Sequence, residues 1–399
     1  MGLLPQRNVY PTFFLFLFFA VHIRETSPST VLWAAPAILA SALMIAWAAE
    51  SAQFFIAQGF ALAILAWLQT LPEFAVEAVL AWKQQVPLLL ANLTGALRLL
   101  TGFGWPVIYF TAAAFNRRRK TGPLRKIQLE DHHAVEVVGL MASLLYIFVI
   151  AAKRSMTVYD GIVLILVYAA YLWILSKMPP EKPESIEELE AIPRKIVTAP
   201  RTRRIAAIAT LFAAGGLLIY YSAEPFLASL LAISTALGIP SFVFIQWVAP
   251  IVSEFPEMAS TFYWARTVER APMALMNMVS SNINQWTLLV AMLPIVYSMS
   301  IGRPTPIPLD GQQELELLMT MGQALVGLTF LINMELAWWE ATVLFVMFFV
   351  PFIHPAAAKA VVVLYFAWAA VALVRLIVVR RELTAFVLFA KIWKTHVMR

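Results

Sequence analysis

The chain has 399 residues, 61% of them hydrophobic and 13% charged, with a net charge of +6 and a mean hydropathy of +0.78. Soluble domains carry roughly a quarter charged residues, so this composition excludes a soluble enzyme and indicates a polytopic membrane protein. The absence of cysteine removes disulfides, thiolate metal sites and thiol catalysis.

In chain order, apolar windows predict spans at 11–24, 31–51, 54–82, 86–113, 134–152 and 157–176. A charged stretch, 177–204, follows, and spans resume at 203–237, 240–266, 271–300, 315–333, 337–353 and 357–379. Twelve spans of about 20 residues would occupy about 240 residues, close to the hydrophobic share of the chain. The first run has only Arg7 as a basic flank and no small-residue cleavage site, so it reads as a short retained span rather than a signal peptide. An interfacial segment is the alternative. The predicted organisation is an extra N-terminal span in 1–29, a five-helix half in 30–176, a polar linker in 177–202 and a second five-helix half in 203–353. An extra C-terminal span and a basic tail make up 354–399. The 15 glycines form no P-loop, and the five histidines show no metal-ligand spacing.

With the N-terminus inside, this layout puts 22 of the 29 Lys and Arg on the inner side. That asymmetry predicts cytoplasmic termini in a cell (inner) membrane and contact with anionic lipid, with no role in nucleic-acid binding. Five spans per half is an odd number, so the halves must insert in opposite senses. The expected fold is therefore all-α, with two inverted-topology repeats.

One phrase occurs in both halves. Residues 69–77 read Gln-Thr-Leu-Pro-Glu-Phe-Ala-Val-Glu, and residues 253–260 read Ser-Glu-Phe-Pro-Glu-Met-Ala-Ser. Each sets a proline directly before Glu73 or Glu257 inside an apolar span. Proline frees backbone carbonyls in the preceding turn, and an intramembrane carboxylate is costly unless it faces a cavity or a cation. Matched interruptions in two halves point to a transporter site with discontinuous helices near the bilayer midplane. A small polar patch follows each: Asn92 in 91–95, and Asn277, Ser281 and Gln285 in 276–285. Such oxygen-only groups suit hard cations, and two carboxylates balance one divalent ion.

On these motifs the chain resembles the calcium/cation antiporter superfamily, the sodium/calcium exchanger fold, across roughly residues 30–353. The family's repeats read approximately Gly-Thr-Ser-x-Pro-Glu and then Gly-Asn-x-x-Gly-Ser-Asn. Residues 237–243 look like the entry to the second repeat, and Thr157 to Gly161 like the entry to the last helix of a half. The resemblance implies exchange of a divalent cation, most simply Ca²⁺, for Na⁺ or H⁺ by alternating access, without enzymatic activity or cofactor. It places Glu73, Glu257, Gln69 and Ser253 at divalent-cation ligand positions and Thr70, Glu254 and Ser281 at sodium-ligand positions.

The departures concern sodium. Ala96 and Leu100 stand where the first repeat of the family has side-chain ligands, and Gln285 is the counterpart of Leu100. Glu77, one turn beyond Glu73, and Glu254, three residues before Glu257, add two carboxylates on roughly the same helix faces. Four carboxylates around one cavity cannot all ionise cheaply, which favours proton coupling. Asn92 and Asn277 serve either the site or interhelical hydrogen bonds. Arg98 either pairs with a neighbouring acid or stands in for a transported ion. Glu224-Pro225 reads as a kink. The rival reading is a non-transporting scaffold or sensor that has lost its ion ligands, favoured by Ala96, Leu100 and Arg98. Inorganic cations and membrane lipid are the expected partners; a homo-oligomer stays open.

Overall fold

The computed structural model describes residues 27–55, 70–119, 122–178, 189–378 and 383–398. The span expected at 11–24 lies outside these residues, as do the first part of the 54–82 span and, with it, Gln69. The first half contains α1 (Val31–Ala52), α2 (Leu71–Trp82), α3 (Val86–Leu99), α4 (Trp105–Arg118), α5 (Ala134–Lys153) and α6 (Val158–Ser176). A short α7 (Ala191–Val197) leads to the second half: α8 (Arg201–Leu237), α9 (Ser241–Ser253), α10 (Phe255–Ala265), α11 (Ala271–Asn284), α12 (Val290–Ile301), α13 (Gly311–Leu331) and α14 (Trp338–Ile353). Helices α15 (Ala358–Val378) and α16 (Thr384–Ile392) follow.

Local chemistry explains the boundaries. Helices α2, α3, α10 and α11 each carry a proline in their first two positions, where its missing N–H costs no helical bond. Thr157 accepts from the Asp160 amide in a capping box at α6, the helix entry expected there, and Asp310 accepts from the Gln312 and Gln313 amides at α13. Gly238 and Gly302, at φ 67° and 79°, supply the left-handed residues that end α8 and α12. Pro225 lies within α8, while Glu224 pairs with Lys83 at an exposed position and takes no part in the site.

Seven helical stretches among the described residues are long and apolar enough to cross a membrane. Ser241–Ser253 and Trp338–Ile353 are apolar but shorter. The window expected at 240–266 is split, because α9 ends at Ser253 and α10 begins at Phe255. Pro250 lies inside α9 just before this break and removes an N–H from its ladder, and Pro256 follows the break in the first turn of α10.

The halves repeat in detail. Helices α3 and α4 are joined by a π-helical segment, Leu100–Gly104, and α11 and α12 by another, Gln285–Leu289. Two small antiparallel pairs tie the halves together. Strand β1 (Lys126–Gln128), before α5, pairs with β4 (Glu335–Ala337), after α13. Strand β2 (Ser155–Met156), after α5, pairs with β3 (Ile307–Pro308), before α13. Exchanging the halves turns one sheet into the other, as an inverted two-fold repeat requires. Packing obeys the same exchange: α3 lies on α13 as α11 lies on α5, and α2 lies on α12 as α10 lies on α4.

Two segments outside the halves also take up structure. In the C-terminal part of 354–399, α16 folds back onto α5 and the Ala385 amide donates to the Ile332 carbonyl at 2.9 Å. The linker is also partly structured: α7 packs on α1, and the Trp47 indole donates to Glu190 at 2.7 Å.

Candidate functional site

The Pro-Glu phrases place Glu73 in the first turn of α2 and Glu257 in the first turn of α10. Both carboxylates are buried, at 2% and 8% exposure, where burial without a counter-charge or proton is costly. Helix N-termini supply a favourable field for them, offsetting part of that cost.

Three helices converge on these acids. The Gln285 side-chain amide, at the start of the second π-helical segment, donates to Glu73 Oε2 at 2.7 Å and to Glu254 Oε1 at 2.6 Å. One side-chain amide thus ties the two carboxyl groups, one from each half, to the same donor. Ser281 donates to Glu257, and Asn277 reaches the same oxygen at 3.4 Å. Thr70, at the N-cap of α2, accepts from the Asn284 amide at 2.6 Å. Ser253 is buried at the end of α9 and donates to the Ala249 carbonyl at 3.3 Å.

The structure thus brings Glu73, Glu254 and Gln285 together, and Glu257 with Ser281 and Asn277. Glu254 is the N-cap of α10, with helical backbone angles (φ −84°, ψ −10°), three residues before Glu257, and shares the Gln285 amide with Glu73. Glu77 is held elsewhere: it accepts from Asn92 at 2.9 Å. Arg98 touches neither Glu73 nor Glu257 and pairs with Glu316 of α13 at 2.9 Å.

Four buried acceptor oxygens, Glu77 Oε2, Asn92 Oδ1, Glu254 Oε2 and Gln285 Oε1, have no donor among the described residues. Oxygen acceptors without donors are what a hard cation or a proton satisfies. Among the described residues no three His, Cys, Asp or Glu side chains converge tightly enough to hold a metal ion; Gln285 and Ser281 hydrogen-bond the acids instead.

Sequence reasoning missed Glu316, Gln246 and Asn284. An acid within an apolar span was a usable signal for Glu316; an amide such as Gln246 carries no comparable one.

A family model described as sodium/calcium exchanger protein matches residues 27–177 and 207–354. Among solved structures, "Crystal Structure of H+/Ca2+ Exchanger CAX" is 29% identical, with a TM-score of 0.87 and 97% of each chain covered. "Structure of native YfkE" is 16% identical, with a TM-score of 0.60, covering 89% of this chain and 99% of that one. A structure of the sodium-calcium exchanger NCX_Mj is 15% identical, with a TM-score of 0.51, covering 86% and 98%; these last two likenesses concern the fold alone. No curated protein matches the chain. The matched halves, the repeated helix breaks and the buried Pro-Glu acids agree: the chain belongs to the sodium/calcium exchanger family, an all-α family of multi-pass membrane transporters.

Proposed function

We propose that this cation antiporter exchanges Ca²⁺ for H⁺ by alternating access, with Glu73 and Glu257 balancing the divalent ion and the Glu73–Glu254 pair carrying protons. The observation that carries the reading is the Gln285 amide, which holds the buried Glu73 and Glu254 carboxyl groups on one donor at 2.7 and 2.6 Å. Two buried carboxyl groups on one donor crowd like charges, so a proton neutralises one of them when no cation is bound, and a divalent ion that needs both charges displaces it. Sodium finds weaker support, because Ala96 and Leu100 offer no side-chain oxygen where the family's first repeat does. Likeness across the whole chain to a structure titled as an H+/Ca2+ exchanger supports the same choice. Arg98 is neutralised by Glu316, which leaves Glu73 and Glu257 available and weighs against the non-transporting reading. The end of the bundle with Arg117, Arg118, Arg125 and Lys126 is proposed to face the cytoplasm.

Purified protein in weakly buffered detergent tests the proton's role. Adding Ca²⁺ should release protons to a pH indicator dye, and Glu254→Ser should release fewer. Ca²⁺ binding without proton release would sink the proposal.

A further inference from the structure

A second buried polar cluster, apart from the Pro-Glu acids, joins α3, α9 and α13. Arg98 on α3 is 2% exposed and pairs with Glu316 on α13 at 2.9 Å. Its Nε donates to the Thr94 carbonyl at 3.3 Å, and its guanidinium lies 5.4 Å from the Trp247 ring centroid. Gln246 on α9 donates to the same Glu316 Oε2 at 2.8 Å. The α9 backbone is seated at that level too: a Cβ on Gly95 would meet the Gln246 carbonyl oxygen at 2.0 Å, so only glycine lets the two helices come this close. Backbone and side chain of one α9 residue are therefore docked on α3 and α13 together. About two turns later α9 ends at Ser253 and the chain turns Glu254 toward Glu73.

A buried ion pair adds little net stability over an apolar pair of similar volume. What it supplies here is a charged acceptor of fixed orientation, which strengthens the Gln246 hydrogen bond relative to a neutral one. We infer that Arg98, Glu316 and Gln246 form a positioning latch that docks α9 and thereby holds Ser253 and Glu254 at the cation site. The inference rests on the exchange function proposed above. Losing the latch lowers the fraction of molecules with α9 in place, so apparent Ca²⁺ affinity falls by that fraction while turnover at saturating Ca²⁺, which draws the population back to the docked state, is spared.

Gln246→Met removes the donor and keeps the volume. In proteoliposomes it should raise the KM for Ca²⁺ about tenfold, the scale of one lost hydrogen bond to a charged group, with kcat changed less than about twofold. A second readout needs no transport. Ala249, one turn beyond Gln246, is 1% exposed in a chain without cysteine, so Ala249→Cys gives a single reporter thiol. Its labelling by an aqueous maleimide should be slow in the otherwise unaltered chain and much faster with Gln246→Met. Should Gln246→Met fail to fold, Arg98→Met with Glu316→Gln carries the test: it removes both charges, leaves an amide for Gln246, and should shift both readouts in the same direction by a smaller factor. A KM within about twofold of the parent, or unchanged protection of the reporter thiol, overturns the latch. A parent that transports nothing would overturn the proposed exchange instead, and the labelling result would still decide the latch.

Discussion

Gln285→Leu probes the point where the two halves meet. Gln285 is fully buried, and its single amide group serves Glu73 at 2.7 Å and Glu254 at 2.6 Å. Leucine is close in volume, so the change removes a donor without opening a large cavity. A hydrogen bond to a charged partner is worth about 1.5–3 kcal/mol; because one NH₂ group makes both contacts, we take a single bond as the lower bound. That lower bound of about 1.5 kcal/mol corresponds to about a tenfold change in an equilibrium constant. The Glu73 and Glu254 carboxyl groups would then face each other without the bridge that orients them. Calorimetric titration of the purified variant with Ca²⁺ should show affinity at least about tenfold weaker, with initial rates of Ca²⁺ uptake into proteoliposomes falling in parallel at subsaturating Ca²⁺. An affinity within about twofold of the parent would refute the claim that Gln285 organises the acids.

Glu73→Gln and Glu257→Gln should each abolish Ca²⁺ flux, yet leave the melting temperature unchanged or higher, since a neutral isostere avoids burying a carboxylate; flux near the parent rate in both would remove them from the site. Glu316→Gln alone strands the buried Arg98 guanidinium and should destabilise the protein by about 3–5 kcal/mol in detergent melts, most of it recovered on adding Arg98→Met. A melting temperature that Glu316→Gln leaves untouched would contradict the buried ion pair. A tag at residues 181–195 should be reached only from the cytoplasmic side and a label at Arg303 only from outside; labelling of the linker in intact cells would overturn that orientation.

Much of this was legible because membranes penalise exceptions. Glu73 and Glu257 stand out against apolar spans, and a proline before each marks a helix that must be interrupted, as α10 shows by starting two residues before Glu257. The phrase at 69–77 and its counterpart at 253–260 also exposed the inverted repeat, which the exchange-related β1·β4 and β2·β3 pairs bear out. Strands of two or three residues show no periodicity, so those pairs themselves could not be read. The link from Glu254 to Glu73 was not legible, because it runs through the Gln285 side chain and depends on how the two halves pack. Arg98 was visible as an anomaly, but its partner lies 218 positions away on α13, a pairing that only the packing of α3 on α13 creates. Helix α16 went unread because its nine residues are too short to span and lie beside a run of basic residues.

The central claim is Ca²⁺/H⁺ exchange, and ion flux under an imposed gradient tests it most directly. Proteoliposomes loaded with Ca²⁺ should release it when an inward proton gradient is applied in Na⁺-free buffer, with the release collapsing when a protonophore removes the gradient. Release that follows only an inward Na⁺ gradient, and stays flat between about pH 6 and 8 without one, would contradict the account.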